Sequence, residues 1–154
     1  MRLELVKDWM TRDVHTISPQ MGVLEADNRM RELGVRRFPV VENGRLVGIV
    51  THGDIREAKP STSSALSAWE MNYLMARLPV AEIMTPNPAT IGPEAIIGEA
   101  ANIMYTQKIS GLPVVDSAGA LVGIITESDI FRMVVHEWSC AEGESPQPYQ
   151  HYDG

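Results

Sequence analysis

The 154-residue sequence has a single cysteine, Cys140, which excludes an intrachain disulfide framework and a multi-cysteine zinc ribbon. Positive charge is scarce. Thirteen Lys and Arg stand against 20 Asp and Glu, a net charge of −7, which opposes non-specific attraction to phosphate backbones or anionic membrane surfaces. Aromatic residues make up 6% of the chain, and they are not interleaved with Arg29 and Arg31 as a nucleic-acid surface requires. No apolar run approaches the roughly 18 residues that span a bilayer. The first ten residues carry Arg2, Glu4, Lys7 and Asp8, so they hold no apolar signal-peptide core. We therefore expect a soluble, cytoplasmic protein whose partners include neither nucleic acid nor membrane. The apolar fraction of 44% is ordinary for a globular domain and excludes disorder of the whole chain.

A repeat organises the sequence. Met10-Thr11 recurs as Met84-Thr85, Thr16-Ile17-Ser18-Pro19 as Thr90-Ile91-Gly92-Pro93, and Pro39-Val40-Val41 as Pro113-Val114-Val115. Leu46-Val47-Gly48-Ile49 recurs as Leu121-Val122-Gly123-Ile124, and Thr51-x-x-Asp54-Ile55 as Thr126-x-x-Asp129-Ile130. Such self-similarity marks one supersecondary unit used twice.

Each copy predicts strand-helix-strand-strand-helix. A short extended piece leads to Pro19 or Pro93, a residue suited to the first turn of a helix. Val23, Ala26, Met30 and Leu33, and in the second copy Ile97, Ala100 and Met104, follow helical spacing, and Gly34 is a stop signal. Strands over 38–41 and 46–50 flank Asn43-Gly44, a strong hairpin signal. The second copy has Asp116-Ser117-Ala118-Gly119 at that turn, and a second helix starts near Asp54 or Asp129. Between the copies, Ser67-x-x-Glu70 predicts a capping box opening a helix through Arg77. Its Leu66, Trp69, Tyr73 and Arg77 fall near one side, expected to pack on the body. Residues 6–58 and 80–138 thus form the two units, 59–79 a loop and connector helix, and 139–154 a disordered acidic tail.

The two Thr-x-x-Asp pairs carry the most chemical information. As a capping box, the threonine and the acid satisfy backbone N–H groups at a helix start. As a ligand site, the carboxylate accepts from both hydroxyls of a ribose diol while the threonine reaches a phosphate. Spacing alone leaves both open, and both can hold together. His15, His52, His136 and His151 lack metal-ligand spacing. No Gly-rich phosphate loop, His-Glu-x-x-His or Gly-x-Ser-x-Gly occurs, so we expect neither catalysis nor an obligatory cofactor.

The doubled Met-Thr, Pro-Val-Val, Leu-Val-Gly-Ile and Thr-x-x-Asp motifs resemble CBS domains, and the tandem resembles a Bateman module. Trp69-Glu70-x-Asn72-Tyr73-Leu74 further resembles the acetoin-utilisation-type bacterial CBS proteins. The resemblance implies an α/β (α+β) fold of two pseudo-two-fold-related β-α-β-β-α repeats with two equivalent clefts that take adenosine-containing ligands. One cleft would use Thr51 and Asp54 with Pro88, Ala89, Thr90 and Ser110, Gly111, Leu112 and Pro113. The other would use Thr126 and Asp129 with Val14, His15, Thr16 and Arg36, Arg37, Phe38 and Pro39. Val50, Ile125, Phe38 and Leu112 would wall the adenine. Arg36 and Arg37 oppose Ser110 and Gly111 in the other copy, and arginine suits phosphate. We therefore expect tighter nucleotide binding at the Asp129 cleft, with Arg37 the arginine that reaches the ligand.

These implications describe a regulatory sensor of AMP, ADP, ATP or a related adenosyl ligand such as S-adenosylmethionine or NAD, acting on an unidentified effector protein. The alternative is a structural dimerisation module with vestigial clefts. The last helix, with Ile130, Phe131, Met133, Val134, Val135 and Trp138, is apolar on more than one side and asks for a second packing partner, so a homodimer is expected.

Overall fold

A computed structural model describes residues 4–61 and 65–142. Its elements run α1 (Val6–Trp9), α2 (Val23–Leu33), β1 (Arg37–Glu42), β2 (Arg45–Thr51), α3 (His52–Ala58), α4 (Ala68–Arg77), a 3-10 turn (Val80–Glu82), β3 (Thr85–Pro86), α5 (Ile97–Gln107), β4 (Gly111–Val115), β5 (Leu121–Thr126) and α6 (Glu127–Glu142). No helix is long and apolar enough to cross a membrane among the described residues.

Local turn chemistry sets the two hairpins. Asn43 and Gly44, at φ 51° and 76°, supply the left-handed pair that a two-residue hairpin turn needs, and β1 pairs antiparallel with β2. In the second copy the carboxylate of Asp116 accepts from the N–H groups of Ala118 and Ala120, both at 2.9 Å, and β4 pairs with β5. Alternation along β1 sends Phe38 and Val40 into one core. Leu112 and Val114 on β4 enter a second core.

The opening residues of each repeat cross to the other copy. The N–H of Val6 donates to Ala95 O (2.8 Å) and that of Lys7 to Pro93 O (3.0 Å); equivalently, Val80 donates to Met21 O (2.8 Å) and Ala81 to Pro19 O (2.9 Å). Thr11 then bridges Ile124 on β5, and Thr85 pairs with Ile49 on β2. Val6 and Met10 consequently lie in the core of the second copy, and Val80 in that of the first. Glycine permits the crossing. A Cβ at Gly123 would stand 2.6 Å from Met10 Sδ and 2.8 Å from the Thr11 carbonyl, and one at Gly48 would strike Met84 Sδ.

Four expectations change. The helix expected from Pro19 begins only at Val23, because the carbonyls of Pro19 and Met21 are taken by the crossing segment. The first strand of each unit shrinks to a single parallel bridge, Ile17 with Val40 and Ile91 with Val114. In the second copy Asn87, at φ 45°, and Pro88, which has no N–H to donate, interrupt any longer pairing. The connector α4 opens on its capping box and packs against α2, but through Met71 and Met75. Trp69 is 73% exposed. It stacks on Tyr73 at 5.7 Å, with Arg77 over the Tyr73 ring at 4.4 Å, so these aromatics satisfy one another on the outer face. Finally, α6 runs past Trp138 to Glu142, turning Ile130 and Met133 to the core and leaving Phe131, Val134, Val135 and Trp138 exposed. The rest of the expected acidic tail lies outside the described residues.

Candidate functional site

Both Thr-x-x-Asp pairs sit where a strand gives way to a helix, but their carboxylates are used differently. At the start of α3, Thr51 N–H donates to Asp54 Oδ2 at 2.8 Å, and Asp54 N–H donates to Thr51 Oγ1 at 3.2 Å. This capping box leaves Asp54 Oδ1 without a partner among the described residues, and Asp54 lines a cavity of about 610 Å³.

At the start of α6, Asp129 is 8% exposed. Its Oδ2 accepts from Thr126 N–H (2.9 Å) and Thr126 Oγ1–H (3.2 Å), and its Oδ1 accepts from Arg132 Nη2 (3.2 Å). Arg132 is itself held by the Trp9 carbonyl at 2.9 Å and lies over the Trp9 ring. The second cavity, about 620 Å³, is lined by Thr126, Glu127 and Ser128 but not by Asp129.

The structure also divides the charge differently from the sequence expectation. Arg36, Arg37 and Ser110 line both cavities, because Arg37 reaches over the second copy and its Nη2 donates to Ser110 Oγ at 2.9 Å. Burial of the Arg37 guanidinium lowers its pKa from the ordinary arginine value, with Glu127 opposing the shift and Arg36 adding to it. The first cavity adds Arg56 and Lys108, so four cations face one carboxylate. The second pairs the two arginines with Asp13 and Glu127. Positive charge is therefore concentrated beside Asp54, not Asp129. Both volumes fall within the usual range of small-molecule sites.

Pro88 and Ala89 line the first cavity with Ser110 and Gly111, while Val14 and His15 line the second. Thr90 lines a different cavity, between the hairpin turns, and Thr16 lines none of the three. Phe38, Leu112, Val50 and Ile125 are not cavity walls. They fill the two cores, and Pro39 and Pro113 are fully buried beside them. Since successive strand residues face opposite ways, the neighbours Ile49 and Ile124 take the wall positions. Sequence reasoning missed His52, Arg56 and Lys108. The first two follow the Thr51 motif within one and a half helical turns, a signal that was available. Lys108 ends α5 in the left-handed conformation, at φ 55°, and only the fold brings it near Asp54.

The CBS domain profile matches residues 6–61 and 80–136. The chain belongs to the CBS domain family. The CBS pair is 37% identical over 138 residues to inosine-5'-monophosphate dehydrogenase of Korarchaeum cryptofilum, covering 90% of this chain but spanning only about a quarter (26%) of the dehydrogenase. Among solved structures, a Vibrio cholerae protein provisionally named as an acetoin utilization protein is 32% identical, with a TM-score of 0.75 over 94% of this chain and 100% of that one. The CBS domain pair of protein MJ0100, in complex with 5'-methylthioadenosine and S-adenosyl-L-methionine, is 29% identical, with a TM-score of 0.73 over 88% of this chain and 99% of that one. CBSX2 in complex with AMP, from Arabidopsis thaliana, is 28% identical, with a TM-score of 0.71 over 88% and 98%. The present CBS pair thus shares the fold of proteins solved with adenosyl ligands.

Proposed function

We propose that this CBS pair is a cytoplasmic, non-catalytic regulatory module that binds a phosphate-bearing adenosine compound in the cavity of Asp54. The observation that carries the reading is the pairing, in one cavity, of a carboxylate with an open oxygen and four cations. Asp54 Oδ1 accepts from a ribose hydroxyl, and Arg37, Arg56 and Lys108 offer charge-assisted bonds to phosphate. The complexes of the similar CBS pairs with AMP and with S-adenosyl-L-methionine support the adenosyl class. The cavity takes residues from both copies, so a ligand that fits one relative arrangement better shifts the population toward it. That arrangement is what an effector protein would read.

The exposed apolar residues of α6 (Phe131, Val134, Val135 and Trp138) favour a homodimer through that helix, since an apolar patch of this kind marks an interaction surface. Dimerisation and ligand sensing are compatible in one protein.

Thermal shift with AMP, ADP, ATP, NAD, S-adenosylmethionine and adenosine tests the reading. A ligand at about 100 times its dissociation constant adds about 2.7 kcal/mol, or roughly 5–11 °C for a chain of this size. At equal concentration, phosphate-bearing ligands are expected to give larger shifts than adenosine. No shift with any of the six overturns the sensor reading and leaves the dimerisation module.

A further inference from the structure

One side chain breaks the pseudo-two-fold symmetry at the place where the two cavities meet. The repeat aligns Arg37 at the start of β1 with Gly111 at the start of β4, and there is room there for only one side chain. A Cβ at Gly111 would run into Arg37 Nη1 and stand 3.1 Å from Cζ and 3.2 Å from Cδ. The guanidinium therefore lies across the second copy, tied to Ser110 Oγ at 2.9 Å, and borders both cavities.

Resting on the ligand reading above, the geometry points to Arg37 as one cation shared by two cavities, so that an anionic ligand in either weakens binding of an anionic ligand in the other. A guanidinium holds a phosphate best by two parallel bonds in one plane, and with Nη2 already donating to Ser110 Oγ the rigid group turns its donor edge toward one cavity at the expense of the other. Recruitment to one side draws it from the other. The cost falls unequally. Without Arg37 the first cavity retains Arg56 and Lys108, whereas the second retains only Arg36 against Asp13 and Glu127. Arg36 borders both as well, and it is exposed like Arg56 and Lys108, so salt screens all three alike and the difference rests on the number of cations left: three in the first cavity, one in the second. Filling the Asp54 cavity thus depresses the anion affinity of the second, and linkage makes the effect reciprocal.

Calorimetric titration with AMP and with adenosine tests this. In the wild-type protein AMP binds in two phases. Asp54→Asn keeps a helix-capping oxygen but weakens the first cavity, and it is expected to raise the second cavity's AMP affinity about tenfold over the wild-type second phase, within the usual range of coupling. In an Arg37→Gln background the same change is expected to make no difference. Gly111→Ala, which keeps the charge but takes the guanidinium's place, is expected to remove the coupling too, and it answers the question if Arg37→Gln fails to fold. Adenosine, lacking charge, is expected to show no coupling in any variant. Unchanged second-phase affinity in Asp54→Asn, or a tenfold gain that persists without Arg37, overturns the shared-cation inference and leaves the ligand reading intact. A single wild-type phase that Asp54→Asn abolishes overturns it equally, because the second cavity then takes no anion. Absence of AMP and adenosine binding altogether overturns both.

Discussion

Alanine at Asp54 and at Asp129 should separate two roles that a shared motif conceals. Asp54 accepts one backbone N–H, from Thr51, and keeps one oxygen open, so its loss removes half a capping box, about 1 kcal/mol. Asp129 is buried and receives three hydrogen bonds. Its loss removes the cap, a charge-assisted bond and the partner of a half-buried hydroxyl, about 2–3 kcal/mol together. The ion pair with Arg132 adds little, since Arg132 is 61% exposed and screened. At roughly 2–4 °C per kcal/mol for a chain of this length, Asp54→Ala lowers Tm by about 2–4 °C and Asp129→Ala by roughly 4–12 °C. The ligand response runs the other way. With AMP near 100 times the first cavity's dissociation constant, Asp129→Ala keeps most of the stabilisation and Asp54→Ala loses the first cavity's share of it. Asp54→Asn, which preserves a capping acceptor, keeps the stability and still loses most of that share. Differential scanning fluorimetry with and without AMP reads all three variants. Equal Tm losses, or an AMP response that disappears with Asp129 rather than Asp54, would refute the assignment of the open carboxylate.

Met75→Ala on the inner face of α4 should cost about 2–5 kcal/mol, and Trp69→Ala on its outer face no more than the roughly 1 kcal/mol of an exposed aromatic stack; urea denaturation checks the ordering, and a larger loss at Trp69 would mean that its face is covered. Gly123→Ala places a methyl group against Met10 Sδ and the Thr11 carbonyl and should destabilise by about 1–3 kcal/mol through overpacking, with the loss in the Gly123→Ala, Met10→Ala double variant smaller than the sum of the two single losses. Unchanged stability in Gly123→Ala would argue that the opening segment does not cross. Substituting Val135→Asp and Trp138→Ser on the outer face of α6 should convert a dimer to a monomer in sedimentation; a wild-type monomer at micromolar concentration would remove the dimer proposal.

Features that depend on a few consecutive residues were legible without the fold. The Asn43-Gly44 hairpin, the Ser67 and Thr51 capping boxes and the periodic apolar faces of α2 and α5 arise from backbone preferences and short-range hydrogen bonds, so their residues announce them. The doubling of motifs likewise identified the unit and its family. Even the closed state of Asp129 had a local signal: Arg132 stands three residues along the same helix face, where the first copy has Glu57.

Placement in space was another matter. The side chain of Arg37 crosses to Ser110 because Gly111 lies beneath it, two residues separated by about half of the chain. Which copy's core receives Val6 and Val80 was equally invisible, since both cores offer similar apolar surfaces and only the paired backbone groups at Ala95, Pro93, Met21 and Pro19 select the crossed arrangement. That crossing brings Trp9 onto Arg132 and fixes the guanidinium that closes Asp129. The sequence alone determined the repeated unit and its two acids. The tertiary structure decided which acid stays open, because hydrogen-bond partners remote in sequence meet only when the two copies have exchanged their opening segments.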